Sequence, residues 1–416
     1  MAGLARSGQA AARLLAERGE HVLGADAGNP EGAEGLRALG VELHLDGDSE
    51  QLADDVRCVV KSPGVPREAP LVRRALTLGI PVIGELELAW RLLPNPFVAV
   101  TGTNGKTTVT ELLGHVWREA GKPVAVAGNV GTPLASLVGD LPADATVVCE
   151  TSSFQLEDTL AFAPECALLL NVTPDHLDRH GTFDAYVAAK LRIFANQSSG
   201  DTAIIDRSDP AIAPLAIPGA AREVDLAVTD IPFEPAGEWM IGAHNVQNAR
   251  FAAGAALAMG LDEAATRRGV STFPGVPNRL EPVRELGGVR YVNDSKATNV
   301  AAAAAALRAF GRGVHAILGG SLKGGSFEGL AEPVSQACRA VYLIGPAADP
   351  IAAALAAVDV ERVICDDLTD AVHRAAAAAE PGETVLLAPA CASFDAYRDY
   401  EERGRHFREI VGALQS

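Results

Sequence analysis

Apolar residues in this chain fall into short blocks separated by longer stretches with helical spacing. Blocks at 21–25, 56–60, 97–100, 146–149, 167–171, 289–293, 314–318, 341–344 and 385–388 predict buried strands. Between many of them, apolar residues recur every three or four positions, as in Val109, Leu112, Leu113, Val116 and Trp117. Strands alternating with helices predict an α/β fold of parallel sheets with helices on both faces. Two breaks divide the pattern: Leu93-Pro94-Asn95-Pro96, and Phe273-Pro274-Gly275-Val276-Pro277. Proline stops helix continuation at both. The expected domains are therefore 1–92, 93–275 and 276–416.

Composition narrows the classes. The 416 residues suit about three domains. A hydrophobic content of 48% and a charged content of 21% are globular values, which argues against a disordered or fibrous chain. The net charge of −18 opposes binding to nucleic acid or to an anionic membrane. Any phosphate ligand must then be held locally, by loops and helix ends. No apolar run reaches the roughly 18 residues of a membrane span, and the first twenty residues lack a signal-peptide core. Six scattered cysteines without a CxxC pair fit a reducing cytoplasm and a chain without disulfides or structural zinc.

Gly3-Leu4-Ala5-Arg6-Ser7-Gly8 is a variant of the dinucleotide-binding turn, and Asp26 follows Gly8 by 18 residues, where an acid can meet a ribose hydroxyl. The residues leave two readings open here: a nucleotide site, with NAD possible, or a glycine turn that packs a helix onto a sheet. A strand should precede Gly3, yet only Met1 and Ala2 do, so the chain is expected to begin inside a longer natural sequence.

The strongest local motif is Phe97-Val-Ala-Val-Thr101-Gly102-Thr103-Asn104-Gly105-Lys106-Thr107-Thr108. A strand enters a glycine-containing loop and leaves as a helix. Loop amides and the helix N-terminus can surround phosphate oxygens, Lys106 adds a charge, and the Thr107 hydroxyl suits Mg²⁺. ATP is the expected ligand. Glu150 ends a strand, where it either holds Mg²⁺ or faces solvent. His176 is a loop histidine, either a ligand or locally satisfied. The stretch 183–194 predicts an amphipathic helix with Phe183, Tyr186, Val187, Leu191 and Phe194 on its apolar face. Lys190 shares that face. Either its stem snorkels to the edge of the stripe, or it is buried with a lowered pKa and open to chemistry or modification.

Taken together, Thr101-Gly-Thr-Asn-Gly-Lys-Thr107, Glu150, His176 and Lys190 resemble the Mur ligases, ATP-dependent amide-forming enzymes of peptidoglycan precursor synthesis. Narrower motifs resemble the branch of that family that adds D-glutamate: Ser152-Ser-Phe-Gln155-Leu, Asp175-His-Leu-Asp-Arg-His180, His244-Asn-Val-Gln-Asn248-Ala, Asn278-Arg279, Asn293-Asp294-Ser-Lys296-Ala-Thr298-Asn, Pro389-Ala-Cys-Ala-Ser393-Phe394-Asp and Tyr400-Glu-Glu-Arg403-Gly. Thr151 and Tyr400 depart from the residues usual at those places.

The resemblance implies three domains: an N-terminal Rossmann-like uridine-binding domain, a central P-loop ATPase-type sheet and a C-terminal Rossmann-like domain. It implies that ATP converts the L-alanine carboxylate of UDP-N-acetylmuramoyl-L-alanine to an acyl phosphate, which D-glutamate then attacks. ATP would be held by 102–108 with Asn248, Arg279, Asp294 and Lys296. Two Mg²⁺ ions, or Mn²⁺ in their place, would be held by Thr107, Glu150, His176 and a CO₂-derived carbamate on Lys190. Asp26, Ser62, Gly64, Asn129, Ser152 and Gln155 would seat the UDP-substrate, and Thr298, Lys323, Ser393, Phe394 and Tyr400 the D-glutamate. The same reading expects a cytoplasmic monomer with no macromolecular partner. A folylpolyglutamate synthase would share the phosphate loop but not the C-terminal motifs. An NAD-linked oxidoreductase would leave Lys106 unexplained, and a non-catalytic nucleotide-binding protein would have no use for Lys190 on an apolar face.

Overall fold

The computed structural model describes residues 1–47, 49–322 and 326–415. Packing divides the chain into two units, Met1–Ile231 with Phe251–Gly269, and Pro232–Arg250 with Val270–Ser416.

In the first unit, strands β1 (Leu23–Asp26), β2 (Glu42–Leu45), β3 (Val59–Lys61) and β4 (Val82–Gly84) form two parallel pairs, β1 with β2 and β3 with β4. Ala2 makes parallel bridges to both Ala25 and Lys61, so Met1 and Ala2 lie where the expected opening strand would run. Helix α1 (Arg6–Glu17) packs closely on that turn because Gly8 has no side chain; a Cβ there would lie 1.9 Å from the Gly3 carbonyl oxygen. Gly8 thus serves the packing of α1 on this turn. Helices α2 (Pro70–Thr77) and α3 (Glu85–Leu92) follow, and α3 leads into the larger sheet.

That sheet comprises β5 (Phe97–Thr101), β6 (Val124–Gly128), β7 (Thr146–Glu150), β8 (Cys166–Leu169), β9 (Thr202–Ile205) and β10 (Arg222–Asp225). The strands are parallel, in the order β10-β9-β8-β5-β7-β6. All five residues of β5 are buried, which fits a central strand covered on both faces. Helix α4 (Lys106–Glu119) leaves β5, α5 (Ser153–Leu156) follows β7, and α6 (Leu177–His180) and α7 (Phe183–Leu191) follow β8. The helix expected over 183–194 stops at Leu191 and continues as a 3₁₀ turn, Arg192–Phe194.

Helix α8 (Ala243–Ala258) contributes residues to both units, and α9 (Glu263–Thr272) precedes the second sheet. That sheet holds β11 (Glu281–Leu286), β12 (Val289–Asn293), β13 (Val314–Gly319), β14 (Cys338–Ile344), β15 (Glu361–Ile364) and β16 (Thr384–Leu387), ordered β11-β12-β16-β13-β14-β15. Only β11 runs antiparallel, at an edge. Its helices are α10 (Val300–Phe310), α11 (Ala331–Ala337), α12 (Ala348–Ala354), α13 (Leu368–Ala378) and α14 (Tyr400–Ala413). Asn299 caps α10 by accepting from the Ala302 amide. The alanine run inside α10 lets that helix lie close to the sheet, where Ala303, Ala306 and Leu307 join the core. Both sheets carry apolar clusters, as the block pattern of the sequence requires. No helix among the described residues is long and apolar enough to cross a membrane.

Candidate active site

The phosphate-loop candidate begins where β5 ends. Gly102 has φ +152° and Gly105 +86°, backbone states that side chains disfavour, so the two glycines shape the loop. Asn171 fixes it from the side: its Oδ1 accepts from the Asn104 amide at 2.9 Å, and its Nδ2 donates to the Asn104 carbonyl at 3.0 Å. The Thr103 hydroxyl meets Tyr186 Oη at 3.0 Å. These contacts hold the loop amides and the start of α4 in one orientation.

Five side chains converge there. Lys106 Nζ donates to the carbonyls of Gly102 (3.0 Å) and Thr103 (2.9 Å). Lys190 Nζ donates to the same Gly102 carbonyl at 2.7 Å. Thr107 Oγ1 donates to Glu150 Oε2 at 2.8 Å, and Asn129 Nδ2 donates to Glu150 Oε1 at 2.9 Å. Glu150 is buried, so the solvent-facing alternative for it does not hold. The close approach of the Asn129 turn depends on Gly128, where a Cβ would lie 2.2 Å from the Glu150 carbonyl oxygen.

Lys190 is 2% exposed, which excludes a snorkelling stem. Its ammonium nitrogen lies 4.5 Å from the Tyr186 ring centroid. Burial drives its pKa well below the ordinary lysine value, and the nearby charge of Lys106 pushes the same way. The result is an enclosed amine whose surroundings disfavour the charged form.

His176 stands at the entrance to α6 with φ +52° and a side chain 42% exposed. Its ring meets Phe154 at 5.0 Å between centroids. The ring of His180 stacks on the same phenylalanine and accepts or donates at Ser153 Oγ (3.0 Å), while Arg179 lies 4.3 Å over it. Ser152 and Gln155 form the capping box of α5, so Gln155 Oε1 accepts from the Ser152 backbone amide.

In the N-terminal part of this unit, Asp26 accepts from the amides of Leu4 (2.6 Å) and Gly28 (3.0 Å). Its carboxylate ties two turns together. The Ser62 hydroxyl meets that of Ser7 at 3.2 Å, and Gly64 follows in the same turn. Beneath them Lys61 and Asp158 form an enclosed ion pair at 2.7 Å, and Lys61 Nζ also donates to the Val65 carbonyl at 2.7 Å. The turn carrying Ser62 and Gly64 is thereby joined to the segment after α5. Periodicity alone did not reveal Lys61, Asp158 or Asn171; each acts through a partner far away in sequence.

The second unit gathers other candidates. Asn248 Nδ2 donates to Asn245 Oδ1 at 3.0 Å. Arg279 lies 3.9 Å from Asp294, and burial raises the Asp294 pKa to about 7 against the pull of that arginine. Lys296 Nζ lies 5.1 Å from the centre of the Tyr400 ring. Ser393 is buried beside Cys391 and Ala392, Phe394 next to it is 72% exposed, and Thr298 is half-buried. Lys323 lies outside the described residues.

Comparison with known proteins completes the description. Residues 1–84 match the family model "Mur ligase MurD-like, N-terminal domain", 100–231 the "Mur ligase middle domain" and 278–391 the "Mur ligase, glutamate ligase domain". The UDP-N-acetylmuramoylalanine--D-glutamate ligase of Pelotomaculum thermopropionicum is 42% identical, over 99% of this chain and 97% of its own. The enzyme of that name from Geobacter metallireducens is also 42% identical, over 99% and 96%. Among solved structures, the MurF ligase of Thermotoga maritima in complex with ADP superposes with a TM-score of 0.60 at 18% identity, covering 86% of this chain and 96% of that one.

Proposed function

The chain belongs to the Mur ligase family, and from that membership we propose that it joins D-glutamate to UDP-N-acetylmuramoyl-L-alanine at the cost of ATP. The relatives at 42% identity carry that activity in their name and align along almost the whole chain. The observation that carries the reading is the convergence of Lys106, Thr107, Glu150 and Lys190 on one strand-to-helix turn. In this reading 1–92 receives the uridine end, 93–275 the ATP and 276–416 the amino acid.

The chemistry follows from charge. The L-alanine carboxylate has no leaving group, so a carboxylate oxygen attacks the γ-phosphorus and ADP departs. The amine of D-glutamate then forms the C–N bond, phosphate leaves, and the nitrogen gives up a proton. Catalysis of phosphoryl transfer rests on position and charge neutralisation. The amides of 102–106 and the N-terminus of α4 face the phosphates, and Lys106 leaves its carbonyl partners to pair with them. Asn129, Ser152, Gln155, Asp26, Ser62 and Gly64 belong to the UDP-substrate, and Asn248, Arg279, Asp294 and Lys296 to the nucleotide. Thr298, Lys323, Ser393, Phe394 and Tyr400 belong to D-glutamate.

The residues present fit divalent metal. Thr107 and Glu150 form a hydroxyl–carboxylate pair 2.8 Å apart, a hard oxygen set suited to Mg²⁺. Phosphate and water oxygens would complete the ligand set of an ion held there. His176 and Lys190 would serve a second ion. Lys190 meets the needs of carbamate formation: its amine is enclosed, its pKa is lowered by burial, and the compensating charge of Lys106 lies nearby. Mg²⁺ bound at these residues would neutralise charge on the phosphates.

The test is phosphate release from the purified protein with ATP and Mg²⁺. Release should require UDP-N-acetylmuramoyl-L-alanine and D-glutamate together. Turnover that ignores either one, or a nicotinamide-linked absorbance change in its place, would overturn the reading.

A further inference from the structure

The motif Tyr400-Glu401-Glu402-Arg403-Gly404 contains a buried cation to which none of these roles falls. Asp399 caps α14 by accepting from the Glu402 amide, and the next residue turns inward. Arg403 is 1% exposed. Its Nε donates to Ser295 Oγ at 3.0 Å, and its Nη2 donates to the carbonyls of Ser295 (2.8 Å) and Cys391 (3.1 Å). Its Nη1 donates to the Ala392 carbonyl at 3.2 Å. Gly404 makes this approach possible, since a Cβ there would fall 1.9 Å from Asn278 Oδ1. The turn after β13 joins the same arrangement: Ser321 donates its amide to the Ala392 carbonyl at 2.9 Å, and a Cβ on Gly320 would lie 3.1 Å from Arg403 Nη1.

All of these acceptors are neutral, and among the described residues no carboxylate pairs with Arg403 within ion-pair distance. Asp395 acts on it only at longer range. Burial lowers its pKa only to about 10, so it stays charged at neutral pH. Removing such a charge from water without a counterion costs several kcal/mol. A neutral side chain could fill the space without that penalty. The loops it holds are those that carry the amino-acid candidates: Ser295 leads to Thr298, and Ala392 to Ser393.

We propose that Arg403 is the positioning residue of the amino-acid site, holding the 293–296 and 391–393 loops together while its uncompensated charge favours an amino acid with two carboxylates. The inference rests on the D-glutamate reading above. Arg403 touches no substrate; it acts through Ser295, Cys391 and Ala392.

The experiment compares the full-length protein with Arg403→Lys and Arg403→Met, varying each substrate in turn and following phosphate release. Thermal melting identifies the folded variants, and Arg403→Lys decides the matter if Arg403→Met fails to fold. The KM for D-glutamate should rise about 10-fold in Arg403→Lys, which keeps the charge but not the planar fork, and about 100-fold in Arg403→Met, which loses the charge and all four bonds. The KM values for ATP and for UDP-N-acetylmuramoyl-L-alanine should stay within about 2-fold. The preference for D-glutamate over D-glutamine should shrink in Arg403→Met. An unchanged D-glutamate KM in folded Arg403→Lys, or three KM values rising together, would overturn the role. A wild-type protein that fails to use D-glutamate would overturn the functional reading itself, which separates the two failures.

Discussion

Two buried cations, Lys190 in the first unit and Arg403 in the second, behave differently. Lys190 in the first unit donates one hydrogen bond to Gly102 and lies beside another lysine, so its environment favours loss of the proton. Arg403 in the second unit spreads its charge over four bonds to three residues and keeps it. A lysine gives up its charge when desolvated; a guanidinium does not. The first arrangement suits a group that is to be chemically changed. The second suits a fixed positive charge beneath a site for an anion.

The sharpest way to break the contrast is to remove the amine. Lys190→Ala should lower kcat by about 1000-fold, roughly 4 kcal/mol of transition-state stabilisation, with binding of ATP retained. Short carboxylic acids such as formate or acetate should restore part of the phosphate release, because they replace the lost anion. Normal turnover, or a loss that no acid relieves, would mean that Lys190 serves packing alone.

A third buried cation supplies a control. Lys61 is enclosed like Lys190 but is matched by Asp158. Lys61→Met leaves Asp158 charged and alone, which should cost about 3 kcal/mol in urea unfolding, whereas adding Asp158→Leu should recover much of it. Equal losses in the single and double variants would show that the pair itself is stabilising. The contrast extends to acids. Glu85 is buried against the amides of Leu134 and Ala135, and burial lifts its pKa from 4.5 to about 7. Its folded-state pKa lies above the unfolded one, so its stabilising effect is full below pH 4.5 and is lost as pH rises through about 7. The unfolding free energy should therefore fall between pH 5 and 8 by on the order of 2 kcal/mol, and Glu85→Gln should flatten that slope. The smallest effect is expected at the cap of the helix that carries Arg403: Asp399→Ala should cost about 1 kcal/mol in unfolding free energy and raise the D-glutamate KM only slightly.

The legible parts of the sequence were those with a local cause. Central strands such as β5, β7 and β13 read directly from apolar blocks, since a parallel strand covered on both faces has no polar side to disguise it, whereas the short buried strands β4 and β9 went unseen. Strand β10, Arg222–Asp225, went unseen because it lies at an edge and is largely polar. The apolar face of α7 marked Lys190 as misplaced, but only the tertiary position of Gly102 decides between an enclosed amine and a snorkelling one. The turn at 3–8 had two open readings, and the distance from a Gly8 Cβ to the Gly3 carbonyl gives Gly8 a packing role that either reading accommodates. Asn171, Lys61 and Arg403 gave no local signal, because each is explained by partners 67 to 108 residues away. A polar residue at the end of a strand, like Asn171, is the nearest thing to a clue.

The most direct test of the central claim uses ¹³C NMR of the protein in ¹³C-bicarbonate. The account predicts a single carbamate carbon in the wild type, retained in Arg403→Lys and absent from Lys190→Ala. A wild-type spectrum without that signal, or a signal that survives in Lys190→Ala, would contradict it.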